Sequence, residues 1–195
     1  GTLTAKGAVG APVIGRGQFI PEGLTGLDPE TGQESEGGKG PAPFYTFGTQ
    51  AADIEVDVET GKIVVNKITA AYEVGQVINQ AMCIGQVQGG IVQGLSSALF
   101  EQLVLENGKP LNNNFVDYKI ATADDTPEMD IILLETSPQP DGPFGAKGIG
   151  EPTMVPTAPA IANALFDALG IRIRDLPLTA EKVLLALQEK NAQGG

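Results

Sequence analysis

Glu151 closes a glycine-rich run, G-P-F-G-A-K-G-I-G-E-P from Gly142 to Pro152, and further prolines follow at 156 and 159. Glycine lets backbone approach a ligand closely, and proline fixes φ and holds the chain beside it in one course. An acid at the end of such a loop suits a general base, because an ordinary glutamate titrates near about 4.3 and is ionised at neutral pH. The run admits two other readings. A phosphate cradle needs a lysine followed by Ser or Thr and an immediate helix start, or glycines at dinucleotide-fold spacing. Here Gly148 follows Lys147, and Pro152 and Pro156 bar an immediate helix, which counts against nucleotide binding. A plain glycine-rich connection between a strand and a helix stays open on pattern alone.

A second glycine cluster lies in I-G-Q-V-Q-G-G-I-V-Q-G-L-S-S-A-L from Ile84. Val87, Ile91, Leu95 and Leu99 recur at helical spacing, so the segment predicts an amphipathic helix. Gly89, Gly90 and Gly94 each cost a helix interior about 1 kcal/mol relative to alanine. Glycine in a helix usually lets something pack close, here either a neighbouring helix or a cofactor.

The elements that position these two clusters read as α+β. Strict alternation in D-I-E-V-D-V-E from Asp53 to Glu59 predicts a half-buried strand, with Ile54, Val56 and Val58 inward. Its four acids form a solvated face, since calcium-loop spacing is missing. Thr60-Gly61-Lys62 makes the turn and Ile63 to Ala70 the returning strand of a hairpin. Asn107-Gly108 marks another tight turn. Met129 to Thr136 predicts a largely buried strand leading through S-P-Q-P-D-G-P into the glycine loop. Two helices follow: one capped by Thr157, with Ile161, Leu165 and Leu169 inward and Gly170 as its stop, and one capped by Thr179, with Val183, Leu184 and Leu187 inward. The expected division is an irregular acidic Gly/Pro-rich segment over 1–42, a folded domain over 43–190 and a polar tail over 191–195.

Composition narrows the chemistry. A formal charge of −12, with only 12 scattered basic residues, argues against nucleic acid or an anionic membrane as partner. With no histidine and the single Cys83, the chain offers no ligand set for zinc or an iron–sulfur cluster and no internal disulfide. Any metal must arrive with a cofactor or on another chain. No apolar run approaches the roughly 20 residues of a membrane span, and no leader pattern opens the chain, so a soluble cytoplasmic protein is the default. An aromatic content of 5% is low for a self-sufficient core, which hints that part of the packing surface belongs to something else.

Seven motifs in register resemble the molybdenum hydroxylases, the xanthine dehydrogenase and aldehyde oxidase family. F-Y-T-F-G-T-Q-A-A-D-I-E-V-D-V-E-T-G-K-I and A-Y-E-V-G-Q-V-I-N-Q are followed by I-G-Q-V-Q-G-G-I-V-Q-G-L and N-F-V-D-Y-K-I, and then by G-P-F-G-A-K-G-I-G-E-P, A-P-A-I-A-N-A-L and L-P-L-T-A-E-K-V-L. The resemblance covers nearly everything from Pro43 onward. It implies the C-terminal half of a molybdopterin-binding domain over 43–190, with Glu151 as the catalytic base beside the molybdenum. Gln86 takes the position whose amide hydrogen-bonds the pterin, and Gly89, Gly90, Gly148 and Gly150 take positions of close approach to the cofactor. The metal itself needs no protein ligand in that family, being held by the pterin dithiolene and small inorganic ligands. Glu73, Gln76 and Gln80 depart from the family, where Asp, Arg and Pro are usual. The implied reaction is hydroxylation of an N-heterocycle or aldehyde carbon with water as the oxygen source. The implied partners are the N-terminal portion of the molybdenum subunit and separate iron–sulfur and flavin subunits bearing 2Fe-2S clusters and FAD. A non-catalytic assembly or scaffold fragment of such a complex is the alternative.

Overall fold

The computed structural model describes residues 15–17, 24–33 and 44–193, and the chain divides into two units at 43/44. In the first unit, Asp28 reverses the chain: its Oδ1 accepts the backbone N–H groups of Glu30 and Thr31, each at 2.8 Å. Apart from residues 15–17 and 24–33, the irregular segment expected over 1–42 lies outside the described residues.

The second unit opens with an antiparallel hairpin of β1 (Phe47–Val56) and β2 (Ile63–Glu73), followed by α1 (Gln80–Leu99). A small hairpin, β3 (Leu105–Glu106) and β4 (Lys109–Pro110), precedes β5 (Glu128–Leu134). α2 (Thr157–Leu169) and α3 (Ala180–Gln193) finish the chain. β5 runs parallel to β2, giving the sheet order β1-β2-β5, and α1 and α2 bury their apolar stripes against it. The fold is α+β. Val87, Ile91 and Leu95 of α1 and Ile161 of α2 share one core with Ile68, Ala70 and Tyr72 of β2.

Strand β2 changes the parity of its inward residues part-way along. Ile63 and Val65 face inward before the shift, and Ile68, Ala70 and Tyr72 after it. The cause is a bulge: Asp53 pairs with Lys67 and Ile54 with Val65, so Asn66 is an extra residue with no partner. One inserted residue exchanges the two faces of a strand whose side chains repeat every two residues. That shift is what delivers Tyr72 to the core side of the sheet.

Several elements differ from expectation. β1 begins at Phe47 and ends at Val56, and Asp57 starts the turn by accepting the N–H of Glu59, which leaves Val58 exposed. α1 starts earlier than expected, at Gln80, because the Asn79 side chain accepts the Met82 N–H and caps it. β5 is half-buried, alternating along its length, rather than largely buried, since one face carries Glu128 and Asp130 into an ion-pair cluster with Lys67. Thr157 does not cap α2. Pro156 holds that position, and Thr157 is drawn into the first turn as a wholly buried residue beside Gly94 of α1.

Candidate functional site

Glu151 stands on a short 3-10 turn, Glu151–Thr153, that lies against the side of α1. So short a turn has few bonds of its own, and its hold comes from other elements. Thr153 is fully buried; its hydroxyl donates to Gly150 O at 2.7 Å, with Gln86 O a second acceptor at 3.3 Å. The Tyr72 hydroxyl donates to Thr153 O at 3.0 Å, and Gln50 Nε2 donates to the same carbonyl at 2.9 Å and to Tyr72 Oη at 2.7 Å. Burial raises the Tyr72 hydroxyl above its ordinary pKa, so it stays a neutral donor at physiological pH. The base of the turn is thus tied to β1, β2 and α1. The Glu151 carboxylate itself is exposed, with no hydrogen bond or ion pair to the described residues.

The glycines of α1 separate into two kinds. A Cβ built on Gly90 would collide with Thr153, and one built on Gly94 would lie 2.7 Å from Met154 O and from the Thr157 hydroxyl. These two let the Glu151 turn and the start of α2 settle against the helix. Gly89 is the opposite: nothing lies within 4 Å of where its Cβ would be. It paves an open cleft of about 290 Å³ lined by Gly85, Gln86, Gly89, Gly90, Gln93, Gly150 and Glu151. Glu151 is the one charged group in that lining, and the amides of Gln86 and Gln93 flank the glycine floor from one face of α1.

Five of the six expected site residues, Gln86, Gly89, Gly90, Gly150 and Glu151, therefore meet in one cleft. Gly148 does not join them. It lies against the Phe44 ring, 3.6 Å from an ideal Cβ, and its carbonyl accepts the Thr46 hydroxyl at 3.3 Å. Gln93 was overlooked, although its place seven residues after Gln86 on the same helix was a usable signal. Gln50, Tyr72 and Thr153 were overlooked too, and no local pattern marks them, since their bonds join distant segments.

Upstream, the glycine loop is anchored to the end of β2. Lys147 pairs with Glu73, both side chains being less than a tenth exposed. Glu73 Oε1 also accepts the N–H groups of Gly75 at 2.9 Å and Ser137 at 3.1 Å. Burial pushes the Glu73 carboxyl up, but the Lys147 ammonium and the two backbone N–H groups outweigh it and hold the carboxyl below its ordinary range. Glu73, one of the three departures from the family pattern, is the hub of this corner. Lys147 N donates to Val74 O at 3.1 Å and Gln76 N to Gly145 O at 3.0 Å, so backbone bonds reinforce the same joint.

Among the described residues there is no cluster of three or more His, Cys, Asp or Glu able to hold a metal, and no helix long and apolar enough to cross a membrane. Residues 4–127 match the molybdopterin cofactor-binding domain family; the match takes in α1 with Gln86 and Gly89 and stops short of the loop bearing Glu151. The gamma subunit of the 6-hydroxypseudooxynicotine dehydrogenase complex of Paenarthrobacter nicotinovorans is 36% identical over 150 residues, 75% of this chain and 19% of that protein. The xanthine dehydrogenase molybdenum-binding subunit of Escherichia coli O157:H7 is 35% identical over 139 residues, 70% of this chain and 18% of its own length. The aldehyde oxidoreductase structure from Desulfovibrio gigas superposes with a TM-score of 0.72 at 36% identity, covering 84% of this chain and 17% of that one. The chain thus spans less than a fifth of each relative. With its cofactor-domain match, its level of identity and its shared fold, the chain belongs to the molybdenum hydroxylase family of the xanthine dehydrogenases and aldehyde oxidoreductases, as part of their molybdopterin cofactor-binding region.

Proposed function

We propose that this chain forms one wall of the molybdopterin site of a molybdenum hydroxylase and supplies its general base, Glu151. The observation that carries the reading is the convergence of Gln86 and Gly89 of α1 with Glu151, more than sixty residues further along the chain, on one cleft in which the carboxylate has no partner among the described residues. The cleft fits a pterin chemically. Its floor at Gly89 is bare backbone, open to a flat ring, and Gln86 and Gln93 offer amide donors and acceptors of the kind a pterin edge needs. When bound, the cofactor supplies the redox and oxygen-transfer chemistry, and hydroxylation of an electron-poor carbon is the reaction this family membership favours.

This chain's residues then have distinct tasks. Gln86 and Gln93 orient the pterin through their amides, and Gly89 admits its face. The Glu151 carboxylate accepts a proton at one of its oxygens while the substrate carbon is attacked, and later releases it to water. An exposed acid suits that task only once the rest of the subunit covers it and excludes bulk water. In this reading the N-terminal portion of the subunit lines the substrate pocket for an N-heterocycle or aldehyde, and iron–sulfur and flavin partners in the cytoplasm carry the electrons away.

The deciding experiment is Glu151→Gln in the purified complex, with molybdenum and pterin content measured alongside turnover. Glutamine keeps the shape of the side chain but cannot take the proton at neutral pH, so turnover should fall by about 10²–10⁴-fold at unchanged cofactor content. More than about a tenth of parental turnover at full loading corresponds to under about 1.4 kcal/mol of barrier and overturns the assignment. A parental complex that carries no molybdenum would instead favour the scaffold alternative.

A further inference from the structure

We infer that the last two residues of β2, Tyr72 and Glu73, form a two-point clamp that positions Glu151, gripping the segment 147–153 at both ends. The inference rests on Glu151 acting as the base. Successive strand residues point to opposite faces, so these neighbours reach the segment along separate paths. Tyr72 holds the downstream end through Thr153 O at 3.0 Å. Glu73 holds the upstream end through Lys147. Between the two anchors the Thr46 hydroxyl bonds Gly148 O, Ile149 packs against the core, and the Thr153 hydroxyl bonds Gly150 O. Glu151 is left, on a segment fixed on either side, as a side chain with no hydrogen bond or ion pair to the described residues.

The chemistry of the two anchors fits positioning better than plain stability. A buried ion pair loses much of its Coulombic gain to desolvation, and apolar residues of the same volume often serve stability equally well; its particular contribution is a single geometry. The Glu73–Lys147 pair lies at the foot of a loop that contains Gly142, Gly145, Gly148 and Gly150, residues that widen the conformations open to a backbone. Room for the other anchor is provided on β1: a Cβ on Gly48 would overlap the Tyr72 ring. Gln50, also on β1, steadies the Tyr72 hydroxyl at 2.7 Å.

The test uses the protein purified with the partners it carries, and reads backbone amide exchange together with steady-state kinetics. Glu73→Gln keeps an acceptor for Gly75 and Ser137 but removes the charge that holds Lys147. Amide exchange over 145–153 should quicken at least about tenfold while α1 and β5 change less than about twofold. The double variant Glu73→Gln with Lys147→Gln, whose two amides can bond to each other, should recover most of the protection. kcat should fall and recover in parallel, with KM little changed. Tyr72→Phe, which leaves Gln50 on Thr153 O, should loosen the downstream end alone, and it decides the matter if Glu73→Gln does not fold. Exchange that is unchanged over 145–153, or that quickens equally throughout the domain, overturns the clamp. So does a loosened segment with unaltered kcat. Failure of the base assignment is a separate result, because Glu151→Gln should keep full amide protection whatever it does to turnover.

Discussion

Gly89 and Gly90 are neighbours on one helix with the same propensity cost, yet the structure predicts opposite responses to a single added methyl. Replacing an exposed interior helical glycine by alanine gains about 1 kcal/mol, which is about 2–4 °C in Tm for a domain of this size. Gly89→Ala should show that full gain, because its Cβ would meet nothing within 4 Å. Gly90→Ala has the same gain, but its methyl lands on the Thr153 hydroxyl and comes within 2.8 Å of Thr153 Cβ and 3.0 Å of its carbonyl carbon. Thr153 cannot swing aside: it is wholly buried, its hydroxyl is committed to Gly150 O, and its carbonyl is held by Tyr72 and Gln50. Overpacking of that kind costs about 1–3 kcal/mol, so Gly90→Ala should lie between neutral and about 2 kcal/mol less stable than the parent. Scanning calorimetry on the complex freed of cofactor, so that ligand binding does not contribute to Tm, measures both. Molybdenum content separates them again: Gly89→Ala puts a methyl on the cleft floor and should lose cofactor in spite of its higher Tm. Equal stabilisation by the two substitutions would refute the packing argument, and a stabilised Gly89→Ala with full cofactor would refute the assignment of that floor to the pterin.

Gln86→Ala removes one cleft amide and should lower pterin and molybdenum content with the melting transition unchanged, since one such bond is worth about 1 kcal/mol; unaltered cofactor content would return Gln86 to a surface role. Thr157→Val replaces a buried hydroxyl that has no hydrogen-bond partner among the described residues by a methyl of similar size, so the variant should be as stable as the parent or up to about 1 kcal/mol more so by chemical denaturation. A loss greater than that would show that the hydroxyl is satisfied in solution. Because the folded-state pKa of Glu73 is depressed, its contribution to stability is present above its ordinary value of 4.5 and is lost as pH falls through the lower, folded value. Denaturation midpoints should therefore decline on acidification below that point, and the decline should be smaller in Glu73→Gln.

Much of the local architecture was legible in the chain. The stripe Val87, Ile91, Leu95 and Leu99 marked α1, and the first three residues of it are wholly or almost wholly buried. Asn107-Gly108 forms the tight turn with both residues at positive φ, Gly170 ends α2 at φ 63°, and the Thr179 hydroxyl accepts the Lys182 N–H at the head of α3. Each of these signals is read within one turn of backbone, where the interacting groups are a few residues apart. Thr157 misled because the same side chain serves as a cap or as a buried neighbour, and Gly94 on another helix decides between the two.

The chemistry followed the same division. The residue types and spacings of the glycine loop and of α1 determined that a carboxylate and a glycine-rich helix were available, and the cysteine and histidine counts left this sequence without the ligand set of a zinc or iron–sulfur site. Only the tertiary structure brought Glu151 beside Gln86, assigned Gly90 and Gly94 to packing and Gly89 to the open cleft, left Gly148 outside it, and joined Tyr72 and Glu73 to the loop. The parity change at Asn66 shows why. One extra residue in one strand reverses which side chains enter the core, and nothing in the neighbouring residues announces it, because a bulge is defined by the partner strand. Periodicity and capping depend on contacts along the chain, whereas the cleft depends on contacts across it, and those are selected by packing the whole domain at once.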